Sequence, residues 1–279
     1  MDLLLRDQAP LTPDQWLALD NTVVQTAREA LVGRRFIPIF GPLGPGTQAV
    51  PDDRLSGGDG GAVDLMGNAD SASVRLSLRR YLPVPLIYKD FIVPWRDLEA
   101  AAQTRAPLDT GGAAAAASAC AHAEDDLIVN GNLLLGLPGL RSVDAAQHRP
   151  LGDWSNPEQA LGAVVAATEA LFAAGFYGAS TVLTSPLLFA RLNRMFGNSG
   201  LLTVEQVQKL VRGGVYQSPV MPENTALVLV AEASAMDLAL AQDMAVAYQG
   251  PENLNHLFRV LEMLVLRIKQ PRAIVVLEG

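Results

Sequence analysis

The sequence holds one cysteine, Cys120, among 279 residues, so no disulfide can close within the chain, as suits a reducing compartment. Charge is sparse at 18% and leans acidic, 29 residues against 21, for a net charge of −8. No run of Lys or Arg occurs. Nucleic-acid affinity is chiefly a cation effect, so a phosphate-tracking surface is not expected. Long apolar runs are missing as well: nothing approaches the roughly 20 residues that span a bilayer, and Leu3–Leu4–Leu5 is far too short for a signal-peptide core. A cytoplasmic protein is expected, with neither membrane nor nucleic acid as partner. With only three histidines, metal-ligand clusters have little to draw on.

What is present is core-forming. Apolar residues make up 49%, enough for a substantial core in a chain long enough for about two domains. So few charges on so long a chain also suggest surface covered by partners. Near the start, "APLTPDQW" (9–16) specifies a helix start. Thr12 and Gln15 form a T-x-x-Q capping box, Pro13 takes the first helical position and Asp14 faces the positive dipole end. The helix is predicted to run from Pro13 to Val32, with Gly33 as its stop. Trp16, Leu19, Val23, Ala27 and Ala30 make one apolar stripe and Leu17, Val24 and Leu31 a second, so packing on two sides is expected.

Downstream, the Gly-rich, acidic segment 56–70 separates two extended stretches. Val74, Leu76 and Leu78 alternate with Arg75, Ser77 and Arg79, a strand with one polar face. Residues 47–82 read as a long arm with little core of its own. Helices are predicted from Trp95 to Gln103, over the alanine-dense Ala113–Val129 up to Gly131, from an N-x-x-Q box at Asn156 to Ala174, from Pro186 to Phe196, and from a Thr203 cap to Arg212. "STVLTSP", "TALVLVA" and "AIVVLE" read as strands. "LFRVLEMLVLRIK" (257–269) fits helix or strand by period. The class is mixed α and β without regular βαβ alternation.

Catalytic constellations are hard to assemble. Cys120 and His122 stand two apart on a helix and face different ways. His122 and Asp126 have the spacing of a metal pair but no further ligand cluster, which favours a surface ion pair. His122-Ala123-Glu124 imitates the H-x-E of zinc deaminases without the cysteines that must complete it. Glu124, Asp125 and Asp126 read as a solvated or salt-bridged helix face. Gly41–Gly46 lacks the Lys-Ser/Thr of a phosphate loop and reads as a turn. Trp95, Tyr88 and Tyr81 could stack on a planar ligand, with ordinary packing as the alternative. No catalytic residue, no metal and no resident cofactor is therefore expected.

Seven segments in order, however, carry a resemblance. "RDQAPLTPDQWLALDN", "GRRFIPIFGPLG", "LRRYLPVPLIYKDFIVPW", "AHAEDDLIVNG", "GLPGLRS", "GFYGASTVLTSP" and "AQDMAVAY" resemble the encapsulins, shell proteins of bacterial and archaeal nanocompartments (the linocin-type bacteriocin family). The resemblance spans the chain and implies an α+β, HK97-like phage capsid fold: a peripheral domain with a spine helix (1–46, 83–135 and 223–269), an extended loop (47–82) and an axial domain (136–222 and 270–279). It implies a non-enzymatic, self-assembling icosahedral shell of many copies, with 257–269 as a strand. It also implies a cargo enzyme captured by its C-terminal targeting peptide, of the ferritin-like iron oxidase or dye-decolourising peroxidase type, serving iron storage or oxidative stress. The peptide would dock on Leu31, Arg34, Phe36, Ile39, Met244 and Val246, with Arg34 as the cation. Phe196, Gly197, Asn198, Ser199 and Gly200 would form a small, uncharged five-fold pore loop, and Trp95 with Tyr88 would be the place of a flavin carried by some members. Three departures stand out: Pro38 where the family commonly has an acidic residue, and Ala241 and Ala247 in place of glycines. A phage major capsid protein is the alternative; the acidic charge and a start directly at the first helix favour the shell.

Overall fold

A computed structural model describes residues 3–56, 60–66, 68–69, 73–104, 106–197 and 200–279. In chain order come α1 (Pro13–Ala30), β1 (Ile39–Phe40), β2 (Ala49–Ser56), β3 (Arg75–Pro83), β4 (Leu86–Val93), α2 (Trp95–Thr104) and α3 (Gly111–Val129). Then follow β5 (Gly131–Asn132), β6 (Leu137–Pro138), β7 (Gln147–Pro150), α4 (Pro157–Ala173), β8 (Ser180–Thr184), α5 (Pro186–Leu192) and α6 (Thr203–Leu210). β9 (Val215–Gln217), β10 (Thr225–Val230), β11 (Met236–Glu252), β12 (Asn255–Ile268) and β13 (Ile274–Glu278) complete the chain.

The capping box of α1 is formed: the Gln15 N–H donates to Thr12 Oγ1 at 3.3 Å and the Thr12 N–H to Gln15 Oε1 at 2.9 Å. Leu19, Val23 and Ala27 are buried beneath it, while Leu17 and Val24 of the second stripe face out. The helix ends earlier than predicted, at Ala30, because Leu31 takes extended backbone. Gly33 is no helix stop. Its place is fixed by close approach: a Cβ there would lie 2.6 Å from Ile128 Cδ1 of α3. The helix after Asn156 also starts differently from the predicted box. Asn156 accepts from Glu158 N, and Gln159 Oε1 accepts from Asp153 N instead. Pro186–Phe196 breaks off at Leu192, and Thr203 is the first helical residue of α6, after Leu202 as N-cap.

Two sheets organise the chain. The first has the order β1-β11-β12-β4, and the second β7-β13-β10-β8-β9. The segment 257–269 is strand, in β12, antiparallel to β11. Its helix-or-strand ambiguity has a packing cause: Phe258, Val260, Leu264 and Leu266 on one face and Leu261 and Val265 on the other are all buried, which erases the two-residue alternation. β10 lies between β8 and β13, so the second sheet draws in residues 225–230, which the expected domain split had grouped with 223–269. An apolar cluster including Leu227, Leu229, Leu238, Leu264, Leu266 and Val276 joins the sheets, and α4 seals the far face of the second with Val164, Ala167 and Leu171. The alanines of α3 (Ala113, Ala116, Ala117, Ala121) are buried, and their small size lets α1, β4 and β12 approach closely.

The arm is an antiparallel β2–β3 hairpin. Its root is tied in by Val50 and Leu82, packed on Leu137, Ala239 and Val265. Farther out, Leu55, Leu76 and Leu78 remain exposed, as expected of an arm with little core of its own.

Candidate functional site

The C-terminal end of α1 packs on α3 through Ala27, Leu31 and Ala121 and borders a cleft of about 420 Å³ lined by Val24, Ala27, Arg28, Leu31, Arg34, Arg35, Asp243 and Met244. Of the six residues expected to bind a peptide, the fold brings Leu31, Arg34 and Met244 into this cleft. The other three lie elsewhere. Phe36 packs on Tyr216 with ring centroids 5.4 Å apart. Ile39 runs alongside Leu238 in the first sheet. Val246 is wholly buried beside Leu19 and Val23. Pro38 is not among the lining residues; its carbonyl accepts from Leu238 N. Val24, Ala27 and Arg28 were missed as lining residues, although Val24 belongs to the second stripe of α1 and Ala27 and Arg28 follow it at i+3 and i+4, a spacing visible in the sequence.

Arg34 is not a free cation. Its Nε donates to Glu124 Oε1 at 2.8 Å, its Nη2 to Glu124 Oε2 and Glu262 Oε2, both at 2.7 Å, and its Nη1 to Asp243 Oδ1 at 2.6 Å. Burial by itself would lower the guanidinium's pKa, but the hydrogen bond and charge of Glu124 and the charge of Glu262 more than reverse that, leaving it above its ordinary value. Arg28 and Arg35 are the cleft's remaining guanidiniums. Glu124 and Asp125, expected on a solvated or salt-bridged helix face, are both buried, and Glu124 is salt-bridged to Arg34. Asp125 grips the loop after α1: its Oδ1 accepts from Gly33 N at 2.8 Å and its Oδ2 from Val32 N at 3.0 Å. Burial nevertheless pushes the Asp125 carboxyl up to about 6, against the pull of those two N–H groups. Glu262 is raised well above the carboxylate range, first by burial and then by the charge of Glu124, and its Oε1 has no hydrogen-bond partner. Two buried carboxylates share one Nη2, and Glu262 is the one held neutral.

The other expected sites are only partly formed within one chain. Of the proposed pore residues, Phe196 donates its N–H to Leu201 O beside the Met195–Leu202 bridge, and Gly197 and Gly200 take left-handed backbone. Asn198 and Ser199 lie outside the described residues. Tyr88 lines a cleft that Trp95 does not, and the Arg259 guanidinium lies 4.0 Å over the Tyr88 ring. Tyr81 is exposed on the arm. Asp126 accepts from Asn130 Nδ2, in place of the ion pair with His122 read from their spacing. Among the described residues no group of His, Cys, Asp and Glu could hold a metal, and no helix is long and apolar enough to cross a membrane.

The arrangement of the β2–β3 arm, the long helix α3 and two sheets defines an HK97-like capsid fold. The structure superposes on the virus-like particle protein of Pyrococcus furiosus with a TM-score of 0.78 at 24% identity, covering 94% of this chain and 99% of that one. It also superposes on the capsid protein of Myoviridae phage XM1 with a TM-score of 0.64 at 14% identity, covering 88% and 90%. In sequence, residues 1–265 match the linocin-type family described as "Encapsulating protein for peroxidase". The chain is 44% identical to a type 1 encapsulin shell protein of Myxococcus xanthus, over 100% of this chain and 97% of that protein. It is 38% identical to a diheme-cytochrome-encapsulin shell fusion protein of Kuenenia stuttgartiensis, over 96% of this chain and 74% of that protein. This chain belongs to the encapsulin family of shell proteins.

Proposed function

We propose that copies of this chain close into an icosahedral nanocompartment in the bacterial cytoplasm and that the cleft on α1 receives the C-terminal targeting peptide of a cargo enzyme. The observation that carries the reading is the cleft itself. Val24, Leu31 and Met244 give an extended peptide apolar purchase, and Arg28 and Arg35 offer donors at the rim. Many copies per shell would multiply a weak single contact. Catalysis then belongs to the guest. A peroxidase is favoured by the family's description, and redox guests in general by the cytochrome fused to the Kuenenia relative; a ferritin-like iron oxidase is the other candidate. Residues 196–200 would line the five-fold pore, and the arm would lie across a neighbouring subunit. A phage capsid role is disfavoured because the phage protein shares the fold at only 14% identity.

The test is co-expression with a fluorescent protein bearing the C-terminal tail of a dye-decolourising peroxidase or a ferritin-like protein encoded beside this gene. Round particles that carry fluorescence through size exclusion support the reading. Val24→Glu, which puts a charge in the apolar cleft, is expected to leave particles intact and lower loading at least about tenfold, the effect of removing 1.4 kcal/mol of binding. Particles that load equally well with Val24→Glu would overturn the docking site.

A further inference from the structure

The turn after α3 projects two leucines into solvent, with Leu133 90% and Leu134 98% exposed. The turn is firmly built. β5 and β6 pair beneath it, Gly131 with Pro138 and Asn132 with Leu137. Asn132 Oδ1 accepts from Leu135 N at 3.2 Å, and Gly136 closes the turn through Leu133 O. Gly131 has no room for a side chain, since a Cβ would fall 2.4 Å from Gly139 N. Below, Leu137 is locked into the core with Val50 and Leu82, and Asn130 Nδ2 donates to Val220 O. A leucine pair held this rigidly loses little conformational freedom on being covered, which is the property of a binding hot spot rather than of a loop tip.

Beside the turn lies a cleft of about 330 Å³, with Leu86, Tyr88, Ala123, Leu127 and Leu135 on its walls and Asp126 as its acid. Residues 131–140 carry no charge, so nothing in the turn opposes entry into such a cleft. The leading N–H groups of a 3₁₀ turn have no partner within it, and Asp126, with Oδ1 already accepting from Asn130, has a second oxygen to offer them. A surface that carries both a knob and a matching hole is complementary to itself. We propose that the Leu133–Leu134 turn of one subunit seats in the Leu86–Tyr88–Leu127 cleft of a neighbouring copy and that this contact holds the shell together.

The inference rests on the chain assembling with copies of itself. Its test is run in particles, so the two readings fail differently. Chains carrying Ala123→Cys are co-expressed with chains carrying Leu134→Cys, and the mixed particles are treated with a short bismaleimide. Both positions are exposed in the subunit, whereas Cys120 is buried. A cross-linked dimer exceeding that in particles of either variant alone supports the contact; mixed particles without that excess overturn it. In parallel, Leu133→Ser with Leu134→Ser is expected to leave a folded subunit by circular dichroism but remove the particle boundary in sedimentation velocity. Leu254→Ser, at another largely exposed leucine on the β11–β12 turn, should leave that boundary unchanged. Normal particles from the double serine variant would also overturn the proposal. Absence of particles from the unmutated chain would instead undo the shell reading.

Discussion

Replacing Glu262 by Gln probes the buried hub at Arg34. Glu262 Oε2 touches Arg34 Nη2, while Oε1 is buried without a partner, and burial with the Glu124 charge holds the carboxyl protonated at neutral pH. Its folded pKa is raised above the ordinary 4.5, so the native state takes up a proton that the unfolded chain releases. The stability this group contributes is present below about pH 4.5 and is lost as the pH rises toward the folded value. At 1.36 kcal/mol per pH unit, keeping the proton at pH 7 costs about 3 kcal/mol. Gln is neutral at every pH and has nearly the same shape, so Glu262→Gln removes that cost. The variant is expected to melt with the wild type near pH 4.5 and above it by roughly 6–12 °C near pH 7, the gap widening with pH. Melting curves at fixed protein concentration, followed by intrinsic fluorescence from about pH 5 to pH 8, read this directly. A variant that melts at or below the wild type across the whole range would show that Glu262 is ionised in the fold and that the account of the hub is wrong.

Three further outcomes follow from the same region. Arg34→Ala leaves Glu124 buried without its counter-ion and should lower stability by about 3–5 kcal/mol in chemical denaturation. Gly33→Ala drives a Cβ to 2.6 Å from Ile128 Cδ1 and should cost about 1–3 kcal/mol, partly restored by Ile128→Val. Asp125, pushed up to about 6 from 3.8, also favours the fold in acid and loses that contribution as pH rises through about 6. Asp125→Asn should therefore flatten the pH dependence between those values, and it should lower the acid plateau by about 1–3 kcal/mol because one buried N–H of Val32 or Gly33 loses its acceptor.

Where a signal is local, the sequence alone was sufficient. The Thr12–Gln15 box sets the start of α1, Gly175 closes α4 with positive φ, and the apolar, β-branched content of β8, β10 and β13 announces buried strands. Seven ordered segments are enough to point to the family, and so to the capsid fold. The second stripe of α1 is visible as a pattern, but its destination is not: only the return of β11 with Asp243 and Met244 turns Val24 and Leu31 into the wall of a cleft. The acidic run at 124–126 reads as a solvated or salt-bridged face, without a choice between the two, because helix spacing says nothing about what lies outside the helix. Glu124 and Asp125 are buried, while Asp126 stays exposed, because the loop after α1 and strand β12 close over that side of α3, bringing Arg34 to carboxylates 90 and 228 positions away in the chain. Capping and periodicity act within a turn or two of backbone, whereas desolvation and charge pairing depend on whatever the fold brings near. The start of α1, the buried strands β8, β10 and β13 and the family were therefore settled by residues in sequence order, and the assignment of β12, the charge states of Glu262 and Asp125, the membership of the cleft and the placement of β10 by packing.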